Sequence, residues 1–122
     1  MNLSHTRKDS HMRRTVECDE STPLGIGVAI EHLNYIIDAL NNHIGKTTVK
    51  VYNFIGISSL KDYHLCYSHA VRLCNILKAR QKKYDLSDDT PIETVYLGLM
   101  LSVLNKARDL KIIHLIPARR TP

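Results

Sequence analysis

The sequence has few of the patterns that mark disulfide-stabilised, membrane-spanning or nucleotide-binding proteins. Three cysteines, an odd and small number, do not form a disulfide framework. No apolar run is long enough to cross a bilayer and no signal-peptide pattern is present, which predicts a cytoplasmic protein without a membrane partner. There is also no glycine-rich phosphate loop and no nucleophile motif. We therefore predict that the chain is not an enzyme.

A zinc site is the one metal site that the residue types suggest. His64, Cys66, His69 and Cys74 are the candidate ligands. Their spacing is poor, because only Cys66 and His69 share a helix face closely and no second ligand pair follows at a zinc-finger distance. Core cysteines and surface histidines explain these residues better. We predict no metal and no cofactor in this chain.

Acidic residues are fewer than basic ones. Twelve Asp and Glu against 17 Lys and Arg give a formal net charge of +5, which favours an anionic partner, nucleic acid first. The excess lies outside residues 1–20, where the two signs balance. Arg72 to Lys83 contains five basic residues and no acidic one. For that run alone, the simpler explanation is a helix C-terminus that complements its own dipole.

Length and composition indicate one domain. At 122 residues, 43% hydrophobic and 24% charged, the chain is an ordinary globular sequence. Residues 1–21 are polar and lack an apolar period, so we predict a flexible N-terminal arm. Residues 22–117 are predicted to form a single helical domain, and 118–122 form a basic tail.

The first predicted helix opens at Thr22-Pro23 and ends at Gly45. Its apolar residues follow the i, i+3, i+4, i+7 spacing of one helix face. They are Ile26, Ala29, Ile30, Leu33, Ile36, Ile37, Leu40 and Ile44.

The segment Lys46 to Ile57 is ambiguous. Its Thr, Val, Tyr and Phe content favours a strand, whereas Thr47 or Thr48 could cap a short helix. In the helical alternative, a turn at residues 56–58 would lead into the next helix and give a helix-turn-helix layout.

A further helix is predicted from Ser59 to about Lys82, and a central one from Thr90 to Leu110. The core face of the helix that begins at Ser59 comprises Tyr63, Cys66, Tyr67, Ala70, Leu73, Cys74 and Leu77. The central helix opens with Thr90, Pro91 and Glu93, a capping box. Because it is apolar on nearly all sides, it is either a core helix or one that another subunit covers in part, and Gly98 predicts the close approach of another backbone. Residues 111–117 could form a short strand or a last helical turn.

Several short motifs resemble the FlhD family. Val95-Tyr96-Leu97-Gly98-Leu99-Met100-Leu101-Ser102, preceded by Asp88-Asp89, is similar to the C-terminal motif of FlhD, the smaller subunit of the FlhDC flagellar activator. Ile55-Gly56-Ile57-Ser58 resembles the family's Leu-Gly-Ile-Asn turn. The similarity covers roughly residues 26–109, and the segment between Leu73 and Asp88 is about ten residues shorter than in flagellar FlhD. The shorter middle suggests the FlhDC-like activators of conjugative elements.

The resemblance implies an all-α fold, a compact helical domain that forms an obligate or preferred oligomer. It would contain a helix-turn-helix-like segment over residues 48–55 and beyond, and a central apolar C-terminal helix. It also implies a non-catalytic subunit of a transcriptional activator that binds DNA with an FlhC-type partner, and zinc is expected in that partner. Self-association, as a homodimer, is expected too. The family's assembly segment corresponds here to Tyr96, Leu97, Gly98, Leu99 and Leu101. No counterpart of its inter-subunit disulfide cysteine is present, so no such bond is predicted.

Phe54 replaces the family's basic residue before the turn, which prevents a direct transfer of its DNA contacts. Nearby basic residues could contact phosphates instead. They are Lys46, Lys50, Lys61 and Arg72. A second hypothesis is a helical protein-interaction adaptor without DNA binding, and a third, a small enzyme, has no residues to support it.

Overall fold

The structure, a computed structural model, describes residues 13–21, 23–54 and 57–117, with the backbone alone over 45–54 and 57–59. This part of the chain forms three helices and one small two-stranded sheet. In chain order the elements are β1 (Arg14–Glu17), α1 (Ile26–Phe54), α2 (Ile57–Tyr84), α3 (Thr94–Asp109) and β2 (Ile113–Ile116). Among these residues, none of the helices is long and apolar enough to cross a membrane.

The small sheet corrects the all-α prediction. β1 and β2 pair in parallel, with Arg14 opposite Ile113 and Glu17 opposite Ile116. Of the segment predicted as a flexible arm, residues 13–21 therefore include a strand, and Val16 and Cys18 are buried. Only these two alternate positions turn inward, too few to give a visible apolar period. The strand alternative for residues 111–117 is confirmed, whereas residues 1–12 and the tail at 118–122 lie outside the described residues.

The core face predicted for α1 is confirmed, but both predicted ends are wrong. Ile36 and Leu40 are completely buried, and the helix continues through Gly45 to Phe54. An internal glycine costs a helix only about 1 kcal/mol, which does not stop it here. The strand alternative for residues 46–54 is thus excluded. These residues are helical, but they continue α1 and do not form a separate helix capped by Thr47 or Thr48.

At its start, α1 uses a distant loop in place of the predicted Thr-Pro cap. The free N–H groups of Ile26 and Gly27 donate to the carbonyl oxygens of Thr90 and Asp88, at 2.8 and 2.9 Å. These bonds satisfy donors that every helix N-terminus leaves unpaired. A local sequence pattern could not show that the acceptors come from more than 60 residues further along.

α1 and α2 form an antiparallel pair. The Cys74 thiol donates to Asn34 Oδ1 at 3.5 Å, and the rings of His43 and Tyr63 lie 4.4 Å apart. The two helices therefore run in opposite directions. The predicted core face of α2 is confirmed, since its Cys66, Ala70, Leu73, Cys74 and Leu77 are buried and its two tyrosines pack against them. The turn at residues 55–56 lies outside the described residues, so the helix-turn-helix layout stays a prediction.

α3 begins at Thr94, four residues later than predicted. Glu93 is the N-cap and makes no side-chain capping bond, while Pro91 bridges to Gly25 in an isolated β-bridge. Thr90 and Pro91 are not part of α3, because their backbone serves the start of α1. One face of α3 enters the core through Leu97, Met100, Val103, Leu104 and Ala107.

Candidate interaction surfaces

The outer face of α3 carries an apolar stripe exposed to solvent. Val95 is 64% exposed and Leu99 is 48% exposed, and Gly98 and Ser102 are also exposed. Because residues 3, 4 and 7 apart lie on one side of a helix, these four form one continuous row, which we call the α3 stripe. Exposed aliphatic side chains arranged in a row, rather than singly, are typical of an interaction surface.

Gly98 has no close neighbour among the described residues, so the predicted approach of another backbone is not seen within this part of the chain and stays a prediction for a partner. A Cβ atom built at Gly98 would meet nothing within 4 Å. Glycine in a helix interior costs roughly 1 kcal/mol relative to alanine. Among the residues that the structure describes, no contact offsets this cost.

The five residues predicted to bind a partner divide between the α3 stripe and the interior. Gly98 and Leu99 belong to the stripe. Leu97 is 8% exposed and packs in the core, so it is not available to a partner in this conformation. Tyr96 is partly buried against Arg80, and Leu101 is partly buried on the side facing β2.

Val95 and Ser102 complete the stripe and were missed from the sequence. The sequence shows the helical spacing of Val95 and Ser102 from Gly98 and Leu99. This spacing could not identify the exposed residues, because α3 is apolar all round and the sequence alone does not show its outer face.

A groove between α2 and α3 adjoins the stripe. It encloses about 250 Å³ and is lined by Leu73, Ile76 and Val103 among apolar side chains, with Leu99 on its edge. His69, Arg72 and Ser102 supply its polar lining. An apolar groove with a cationic edge suits a protein segment that inserts an aliphatic side chain beside a carboxylate.

Arg80 links the start of α3 to α2. Its Nη2 lies 2.8 Å from Glu93 Oε1, and its guanidinium lies over the rings of Tyr84 and Tyr96, 5.4 and 5.2 Å from their centroids. Both side chains of the ion pair are substantially exposed, so the pair itself stabilises little. These contacts connect the end of α2 with the start of α3. With Arg80 already engaged by Glu93, we assign this cluster a positioning role.

Two of the four predicted DNA-contacting residues can be placed. Lys61 and Arg72 are exposed on α2, whereas the side chains of Lys46 and Lys50 lie outside those described. The sequences of α2 and α3 are rich in basic residues. No acidic residue occurs from Tyr63 to Tyr84 or from Thr94 to Arg108, and these two spans contain seven Lys and Arg residues.

The candidate zinc ligands do not converge. Cys66 and Cys74 are buried free thiols, and His64 and His69 are exposed on α2. Burial raises the pKa of Cys66 to about 11, opposed by the positive charge of Lys106. Among the described residues no group of three or more His, Cys, Asp or Glu side chains could hold a metal ion.

His32 is a partly buried polar side chain on α1. Its Nδ1 atom is buried and has no hydrogen-bond partner among the described residues. Burial lowers the pKa of His32, the nearby Arg14 charge lowers it further, and Glu31 opposes both. Because the ring is far from the α3 stripe in sequence and sits beside β1, we read it as part of the fold rather than of a site.

Comparisons of the chain with protein-family models, with curated proteins and with solved structures find no match.

Proposed function

We propose that this chain is a non-catalytic subunit of a DNA-binding transcriptional activator, assembled with an FlhC-type partner through the α3 stripe. The observation that carries the proposal is the coincidence of two independent features. The motif that resembles the FlhD assembly segment lies on α3, and the same helix exposes Val95, Gly98 and Leu99 in a row. A partner that covers this row would remove its aliphatic side chains from water.

The charge distribution supports the DNA-binding half of the proposal. The basic spans of α2 and α3 contain no carboxylate that would repel a phosphate backbone. Phosphate contacts by Lys and Arg give affinity and position without reading sequence. Base readout is then the role of the partner or of the helix-turn-helix-like segment, and zinc belongs to the partner.

The first experiment is a tagged co-purification from the native host, followed by mass spectrometry and a zinc assay. A stoichiometric zinc-bearing partner that carries DNA affinity into the complex supports the proposal. Recovery of the chain alone, as a homodimer or otherwise, or with a protein unrelated to transcription, would contradict it.

A matched pair of substitutions localises the contact. Leu99→Ser removes the aliphatic side chain at the centre of the stripe, and Leu65→Ser removes the same side chain from α2. The two leucines are 48% and 47% exposed, so the cost to the isolated chain is comparable. We expect Leu99→Ser alone to reduce recovery of the partner. Equal recovery with both variants would show that the partner binds elsewhere.

The alternative function, a helical adaptor without DNA binding, uses the same α3 stripe. It differs in one measurable property: the purified complex would have no affinity for duplex DNA even at low salt.

A further inference from the structure

The outer face of α2 carries a regular row of cations. Lys61, Arg72 and Lys83 are all exposed and are spaced by eleven residues. Eleven residues are close to three full turns at about 3.6 residues per turn, so the three side chains leave the helix on nearly the same side. This side is opposite Ala70 and Leu77, which are completely buried against the rest of the protein. The row therefore faces away from the core, and Arg72 also lines the groove between α2 and α3.

No acidic side chain interrupts this face. Between the cations it presents Leu65, Ser68, Asn75 and Ala79, all exposed and uncharged. Asp62 follows Lys61 in sequence but points about a quarter-turn away. A solvated helix surface usually mixes both signs. Here all the formal charge along the face is positive.

The length of the row fits duplex DNA. At about 1.5 Å rise per residue, adjacent cations lie about 16.5 Å apart and the outer two about 33 Å apart. One turn of B-DNA is about 34–36 Å. If α2 lies along the duplex, Lys61 and Lys83 can reach the same strand one turn apart, while the long side chain of Arg72 reaches the other strand between them.

We propose that Lys61, Arg72 and Lys83 form a phosphate-contacting row that seats α2 along the backbone of double-stranded DNA. The proposal rests on the proposed function for its target and adds the surface and the mode of contact. It assigns α2 affinity and position rather than base recognition. A membrane surface fits less well, because an interfacial helix needs a broad apolar face and this one offers a single large aliphatic side chain, Leu65.

The test uses the complex recovered in the co-purification and a labelled random-sequence duplex of about 30 base pairs, roughly three helical turns. The binding constant is measured between about 50 and 200 mM salt. In the row variant, Lys61, Arg72 and Lys83 are each replaced by glutamine. In the matched control, Arg13, Arg14 and Lys111 are replaced by glutamine, which removes the same charge from exposed positions outside α2 and α3.

Each lost phosphate contact lowers the salt slope by about 0.9, so the row variant should lose between about 2 and 3 units of slope. The control should lose less than about 1 unit. If the triple variant folds poorly, the three single substitutions give the same answer, because each should lower the salt slope by about 0.9.

Three results would overturn the inference. Equal losses of salt slope in the row variant and the control would show that DNA binding depends on net charge and not on the row. An unchanged slope in the row variant, with DNA binding intact, would reject the row and leave the proposed function standing. A wild-type complex that ignores duplex DNA, or prefers anionic phosphatidylserine vesicles, would reject both.

Discussion

Gly98 gives the sharpest separation between what this chain needs for its own fold and what it needs for assembly. A Cβ atom at this position would meet nothing within 4 Å, and the helix continues for four residues before it and eleven after it. Gly98→Ala should therefore stabilise the isolated chain by about 0.8–1 kcal/mol, the difference in helix propensity between the two residues. In a domain of this size that is a rise in Tm of roughly 3–5 °C.

Gly98→Leu should behave similarly in the isolated chain, because leucine is also a good helix former and its side chain would extend into solvent. The effect on assembly should have the opposite sign. A leucine forced into a close helix contact costs about 1–3 kcal/mol, which weakens partner binding by between about fivefold and 150-fold.

Urea unfolding of the isolated variants and titration of the partner measure the two effects separately. Ser68→Leu, an exposed small-to-large change on α2, is the control for assembly. Loss of stability in isolated Gly98→Ala would refute the reasoning, since it would mean that the chain itself packs against this position. Unchanged partner affinity in Gly98→Leu would remove Gly98 from the interface.

Three further predictions concern the fold. Gly25→Ala should destabilise by about 1–3 kcal/mol in urea unfolding, because its Cβ would lie 2.6 Å from the Asp88 carbonyl oxygen; stability equal to wild type would contradict this contact. The pKa of His32 is lowered in the folded state, so the unfolded chain binds the proton more tightly, and stability should fall as pH drops below the ordinary histidine value of about 6.5. His32→Gln should flatten that decline, with exposed His64→Gln as control, and equal slopes would show that His32 is not the cause. At pH about 8, the native Cys66 thiol, with its pKa raised to about 11, should react with iodoacetamide at least about 100-fold more slowly than a free cysteine, and rapid native labelling would disprove its burial.

Periodic segments could be predicted from sequence, and single contacts between distant segments could not. The core faces of α1 and α2 follow directly from apolar spacing, because a helix repeats its contacts every three or four residues. The predicted helix ends were wrong for a different reason. The cap of α1 comes from the backbone of Asp88 and Thr90, and this use of the loop also delays the start of α3. No local sequence pattern indicates hydrogen bonds between such distant segments.

The candidate surface shows the same limit. The sequence indicated that α3 is apolar on nearly all sides, but not which side the rest of the chain covers. Packing in the core buries Leu97 and leaves Val95 outside. The cations of α2 were recognised as a run from Arg72 to Lys83. Their alignment with Lys61 depends on α2 being one unbroken helix from Ile57 to Tyr84.

Arg72 connects the two proposed surfaces, because it belongs to the cationic row and also lines the groove beside Leu99. If a partner carboxylate occupies that groove, Arg72 contributes to assembly as well as to DNA contact. Arg72→Gln should then weaken both partner binding and DNA binding, while Lys61→Gln and Lys83→Gln should weaken DNA binding alone. Partner titrations at two salt concentrations, with and without duplex DNA, measure the two effects. A partner affinity that is the same in all three variants would separate the surfaces. A loss confined to Arg72→Gln would make them one continuous interface, in which DNA and partner compete for or share a single guanidinium.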